Sequence, residues 1–95
     1  MEQKIEVLSI VYSKAGRDRG RYFVVTHLEG DYVQIVDGAL RKLAHPKKKK
    51  VKHLVCKPKK AEGIRLQDLQ NGKLLDSDIR KCLAQMGFSI VKKED

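Results

Sequence analysis

The sequence predicts a mainly β protein, a small barrel of short strands followed by a short C-terminal helical segment. Three observations lead there. Runs rich in β-branched and aromatic residues follow one another closely up to Ala61, with turns bearing glycine and aspartate between them. Beyond Ala61 the apolar residues change period, from alternation to spacings of three and four. The chain has 95 residues, the size of one domain, and 41% of them are hydrophobic, enough to fold rather than stay disordered.

The first strand is expected over 7–12, where Leu8, Ile10 and Tyr12 share one face and Val7, Ser9 and Val11 the other. The second and third are expected over 21–28 and 32–37, with Glu29-Gly30-Asp31 as the turn between them. A shorter candidate lies near 40–43, after Asp37-Gly38. Pro46 disfavours a helix entering the low-complexity tract Lys47-Lys48-Lys49-Lys50. The last strand is expected over 52–57, where Val51, His53 and Val55 compete with Leu54 and Cys56 for the core.

Ile64, Leu66 and Leu69 then suggest a helical turn ended by Asn71-Gly72. Asp76 or Ser77 can cap a longer helix that carries Ile79, Leu83 and Met86 inward, toward the open end of the barrel, before Gly87 stops it. Phe88, Ile90 and Val91 form a final apolar run that returns as a strand or packs on the helix. The expected division is therefore a barrel over 1–61 and a helical appendage over 62–95, packed on the barrel.

Charge points to the ligand. The chain carries 21 Lys and Arg against 12 Asp and Glu, a net charge of +9, and the excess is confined to one part. Residues 1–61 hold 15 basic and 6 acidic residues, whereas residues 62–95 hold 6 of each. Gly38 to Ala61 contains ten Lys or Arg and no acid. Such a field attracts polyanions. The loop Ser13-Lys14-Ala15-Gly16-Arg17-Asp18-Arg19-Gly20-Arg21 adds cations to a bend whose glycines allow positive φ and close backbone approach.

The candidate RNA-contacting residues are therefore Lys14, Gly16, Arg17, Arg19, Gly20 and Arg21 in the loop, and Arg41, Lys42, Lys47, Lys48, Lys49, Lys50 and Lys52 beyond it. Lys and Arg neutralise phosphates and supply affinity with little sequence information. Tyr12, Tyr22, Phe23, Tyr32 and Phe88 are the large π surfaces, and an exposed one can stack on an unpaired base. Asp18, among arginines, is expected to steady the turn by accepting backbone or arginine hydrogen bonds.

Other chemistries find little to work with. There is no nucleophile with an adjacent base and no phosphate-cradling strand-to-helix motif, so the expectation is a noncatalytic protein without cofactor or small-molecule substrate. His53 and Cys56 have the spacing of half a metal site but no second pair, so no metal is expected. Cys56 and Cys82 read as buried free thiols. No apolar stretch reaches the ~20 residues of a membrane span, and no secretory leader is evident, so a cytoplasmic location is expected. Pro46 to Lys52 also resembles a nuclear localisation signal, a pattern that any lysine-rich contact imitates.

The glycine loop, together with Val36-Asp37-Gly38, Arg41-Lys42-Leu43, Pro46-Lys47-Lys48-Lys49 and Lys52-His53-Leu54, resembles the KOW-domain RNA-binding proteins. Within that group the likeness is to large-subunit ribosomal proteins of the archaeal and eukaryotic type. The resemblance implies an SH3-like barrel in which the loop and strand around Gly20 contact RNA or protein, with ribosomal RNA or the ribosome as the partner. The chain departs from the longer ribosomal relatives in having no long basic helical tail. A compact accessory protein of the small bacterial KOW type fits it better. KOW modules also occur in transcription elongation factors, so the alternative expectation is an adaptor that binds an acidic protein partner or transcription machinery through the same face.

Overall fold

A computed structural model describes residues 4–88. It is mainly β: a five-stranded antiparallel sheet carries two helices at its C-terminal end. The strands are β1 (Ser9–Ser13), β2 (Tyr22–Glu29), β3 (Tyr32–Val36), β4 (Lys47–Lys50) and β5 (Leu54–Lys60). The helices are α1 (Leu66–Gln70) and α2 (Asp76–Gln85), and a 3-10 turn, Val51–His53, joins β4 to β5. The order across the sheet is β4-β3-β2-β1-β5, so β4 and β5 are its two edges and no ladder closes it into a barrel.

Strand alternation sorts the apolar residues into two cores. In register, Ile10 faces Val24 and Val24 faces Val36, while Val11 faces Phe23 and Val25 faces Ile35. The first set packs on one side of the sheet with Leu8, Ile64, Ile79, Cys82 and Leu83. The second packs on the other side with Val33 and Leu54. Neighbours such as Ile10 and Val11, or Val24 and Val25, are therefore all 0% exposed although they point in opposite directions. Burying each such side chain fully contributes about 1.5–3 kcal/mol.

The helices complete the first of these cores. Ile79 and Leu83 turn inward as their spacing predicts, and Cys82 joins them. Their stripe lies against the face of the sheet, not at an open end. The reason is that β1, β2 and β3 present Ile10, Val24 and Val36 on that face, and the C-terminal segment covers them together with Val7, Leu8 and Leu43. Met86, Leu69 and Leu74 pack around the edge of the same cluster, so the C-terminal segment supplies core for the sheet.

Local details follow from the chain. Leu75, not Asp76 or Ser77, occupies the N-cap of α2, and its N–H donates to the Asp78 carboxylate at 2.9 Å. Gly87, with φ of +81°, ends the helix. Its N–H donates to the Ala84 carbonyl at 3.1 Å and that of Phe88 to the Leu83 carbonyl at 2.8 Å, the paired bonds of a left-handed C-terminal stop. Phe88 stacks on Tyr22, with ring centroids 4.7 Å apart. Ile90 and Val91, the rest of the predicted apolar run, lie outside the described residues.

One expected strand is absent, one strand is unexpected, and one open alternative is decided. Residues 40–43 form no strand, because the backbone there closes on itself and on α2. The lysine tract is a strand, β4, paired with β3. In β5, Leu54 is buried and Val55 is 41% exposed, so the Leu54 and Cys56 face wins the core.

Candidate nucleic-acid interface

The loop between β1 and β2 folds back on itself. Ser13 and Arg21 pair at its neck through the Ser13 N–H and the Arg21 carbonyl at 2.9 Å, and the Gly20 N–H returns to the Ser13 carbonyl at 2.8 Å. Arg19 N–H to Gly16 carbonyl, at 3.2 Å, tightens the tip. Gly16 and Gly20 adopt φ of +86° and +90°, which a side chain would strain. Lys14, Arg17 and Arg19 are exposed on this frame and Arg21 is half-buried.

An ion pair that the sequence does not announce holds the loop from inside. Asp18 points inward, where its Oδ1 accepts hydrogen bonds from the Ser13 hydroxyl and the Lys49 ammonium, both at 2.7 Å. Lys49 also donates to the Ala15 carbonyl at 2.7 Å, so one buried ammonium ties β4 to the loop's backbone and to its carboxylate. Lys47 stands 3.4 Å from Asp18 Oδ2, an atom that receives no hydrogen bond. Burial pushes the Asp18 carboxyl up, but the Lys49 and Ser13 hydrogen bonds and the charges of Lys49 and Lys47 outweigh it and hold the carboxyl at about 2.

This arrangement corrects two expectations. Asp18 takes its hydrogen bonds from Ser13 and Lys49, not from backbone or arginine. Lys49 is not a surface contact: its side chain is 8% exposed and committed to Asp18. The cause is strand alternation. Lys47 and Lys49 stand opposite Ile35 and Val33, which face the second core, whereas Lys48 and Lys50 stand opposite Gln34 and Tyr32 on the other face. An inward lysine on an edge strand also discourages pairing of that edge with another sheet.

On the outer face of β4, Lys48 and Lys50 lie 5.2 Å and 5.8 Å from the centre of the Tyr32 ring. Lys48 also pairs with Glu29 at 3.3 Å, a solvent-screened surface contact that adds little to stability. The Glu29 carboxyl is lowered first by the Gln34 amide, which donates to it at 2.5 Å, and then by Lys48.

Arg41 and Lys42 are exposed in the segment between β3 and β4, which two aspartates shape. Asp37 Oδ1 accepts from the Ala39 and Arg41 N–H groups at 2.9 and 2.8 Å, and Asp76 Oδ1 accepts from the Leu43 N–H at 2.7 Å. Arg80 Nη1 donates to the Gly38 carbonyl at 2.6 Å. A Cβ on Gly38 would collide with the Asp76 carbonyl, so glycine there permits the turn to dock on α2. Asp76 and Arg80, which position this basic turn, carried no signal in the sequence beyond ordinary helix polarity.

Register brings these segments to one end of the sheet. Val36 lies opposite Val24 and Tyr22 opposite Tyr12, so the turn after β3 leaves the sheet beside the loop before β2. Arg21, Asp37, Leu40 and Arg80 accordingly line a common cavity of about 180 Å³. Lys52, in the 3-10 turn, joins them through the neighbouring His53, whose carbonyl accepts the Lys14 N–H at 3.0 Å. Among the described residues, Lys14, Arg17, Arg19, Arg21, Arg41, Lys42, Lys50 and Lys52 have no carboxylate within 4.0 Å.

Reactive groups do not assemble around this surface. Among the described residues no three of His, Cys, Asp and Glu come together as a metal site, and no helix is long and apolar enough to cross a membrane. Cys82 is buried and burial pushes its thiol up, while Cys56 is only half-buried. No family model matches the chain, and no curated protein matches it.

Proposed function

We propose that this protein is a noncatalytic RNA-binding module that grips the phosphates of structured RNA, with ribosomal RNA or the ribosome as its target in the cytoplasm. One observation carries the reading. Asp18, the only acid in the β1–β2 loop, is neutralised from within by Lys49, which leaves Lys14, Arg17 and Arg19 outside without a carboxylate partner among the described residues. An Asp18–arginine pair would have occupied one of these cations; the Asp18–Lys49 pair leaves all three directed outward.

The fold reading that goes with it is an SH3-like, partly open barrel of the KOW kind. Its support is the strand order β4-β3-β2-β1-β5 with the edges joined by a 3-10 turn. Within three residues that turn runs from Val51, bonded to the Asp31 carbonyl at 2.9 Å, to His53, bonded to Lys14 at 3.0 Å. Two edges joined so briefly require a strongly curled sheet.

Purification without nuclease tests the function. The protein should carry nuclease-sensitive RNA and cosediment with ribosomal particles in low salt. Protein free of RNA that sediments alone contradicts the proposal. A second reading, an adaptor for an acidic protein, draws on a groove of about 1050 Å³ floored by Val33, Leu54 and Cys56 and edged by Lys4, Lys14 and Lys52. Apolar floor is of no use to phosphate. That reading predicts a partner protein retained after nuclease treatment.

A further inference from the structure

We propose that Tyr32, with Lys48 and Lys50 beside it, is a stacking subsite for an unpaired base, so that the RNA bound contains a single-stranded segment lying along β4. The inference rests on the RNA reading above and names the strand state that this surface selects. It begins from the fate of the aromatic residues. Phe23 is in the core at 1% exposure, and Tyr12, Tyr22 and Phe88 are half-buried in a row with centroids 5.0 and 4.7 Å apart. Tyr32, at 37%, is the exposed aromatic among the described residues.

Its neighbours suit a nucleotide. Strand pairing sets Tyr32 opposite Lys50 and Gln34 opposite Lys48, so a flat ring, an amide and two ammonium groups share one face. The ring offers a π surface, the amide can meet a base edge, and the ammonium groups can neutralise the flanking phosphates. Ammonium groups at 5.2 and 5.8 Å from the ring, on flexible stems, can turn from it to phosphate when a base arrives. A duplex hides its base faces, so a ring of this kind selects unpaired nucleotides.

β4 serves both this subsite and the loop, on its two faces. It is an edge strand whose inward lysines, Lys47 and Lys49, hold Asp18, while its outward ones flank Tyr32. Glu29 opposes binding, because its carboxylate already holds the Gln34 amide and Lys48. Its removal should free both for ligand.

The chain contains no tryptophan, so Tyr32→Trp makes the subsite its own reporter. This variant is titrated in low salt with an unstructured RNA of about 12 nucleotides and with a duplex of similar length. The single strand should quench the indole by more than about half, as a stacked base does, and the duplex should leave it nearly unchanged. Tyr32→Phe should hold the single strand within about twofold of the unmodified protein, while Tyr32→Leu should lose about tenfold for the single strand and little for the duplex. Glu29→Gln should tighten single-strand binding about twofold to threefold.

Equal quenching by both RNAs, no quenching by a single strand that binds, or full single-strand affinity in Tyr32→Leu would overturn the subsite. If salt-sensitive RNA binding persists in any of those cases, the broader reading stands without it. If neither RNA binds in low salt, both fail.

Discussion

Replacement of Lys49 by methionine removes the ammonium that holds the β1–β2 loop while keeping much of the stem. The Asp18 carboxyl is at about 2 in the folded chain against 3.8 for an ordinary aspartate, so the folded environment favours the carboxylate by about 2 kcal/mol at neutral pH. The folded value is the lower one. The contribution is therefore complete above about pH 4 and is lost as the pH falls toward 2. Lys49→Met leaves a nearly buried carboxylate with only the Ser13 hydroxyl and Lys47 at 3.4 Å, and should cost about 3 kcal/mol.

Asp18→Asn should cost about 2 kcal/mol, since it strands the ammonium instead. The double variant should be about 2 kcal/mol more stable than the two losses added together. Urea unfolding of all four proteins at pH 7 measures this coupling. Repeating the wild type and Asp18→Asn near pH 2 isolates the acid limb: Glu6 and Glu29 also have lowered carboxyls, but they titrate alike in both. Losses that add within about 0.5 kcal/mol, or equal acid destabilisation of the two proteins, would refute the internal lock.

Gly38→Ala meets the Asp76 carbonyl at a φ of +78°, and should lower stability by about 2 kcal/mol or more in a thermal or urea melt. Ile79→Ala should cost about 2–5 kcal/mol, because Ile79 sits at 0% exposure against the sheet; a loss under 0.5 kcal/mol would show that α2 is an accessory. Cys56 should react with a thiol reagent in the folded protein well before Cys82, whose thiol is buried and pushed up, and denaturant should remove the difference.

The sequence revealed most of the β architecture because Ile10, Val11, Val24, Val25, Val33 and Ile35 combine β-branched chemistry with turn residues at the right intervals. Ile79 and Leu83 likewise displayed their helical period. What stayed hidden was concealed by uniform composition. Four lysines in succession show no alternation, so nothing distinguished inward Lys47 and Lys49 from outward Lys48 and Lys50, or marked the tract as a strand. The Asp18–Lys49 pair joins residues 31 apart, beyond any local pattern. Placement of α2 on the sheet's face depends on both sides of the sheet being apolar, which differs from the expected packing at the open end of a barrel.

The central claim is that exposed cations at one end of the sheet hold RNA phosphates. Its most direct test is the salt dependence of RNA binding by the wild type and by a protein with Arg17 and Arg19 both replaced by alanine. For roughly five to seven phosphate contacts, log affinity should fall against log salt with a slope of about −4 to −6. The double replacement should weaken binding at low salt and make the slope shallower by about 1 to 2. A flat salt response in the wild type, or an unchanged affinity and slope after both arginines are removed, would contradict the account.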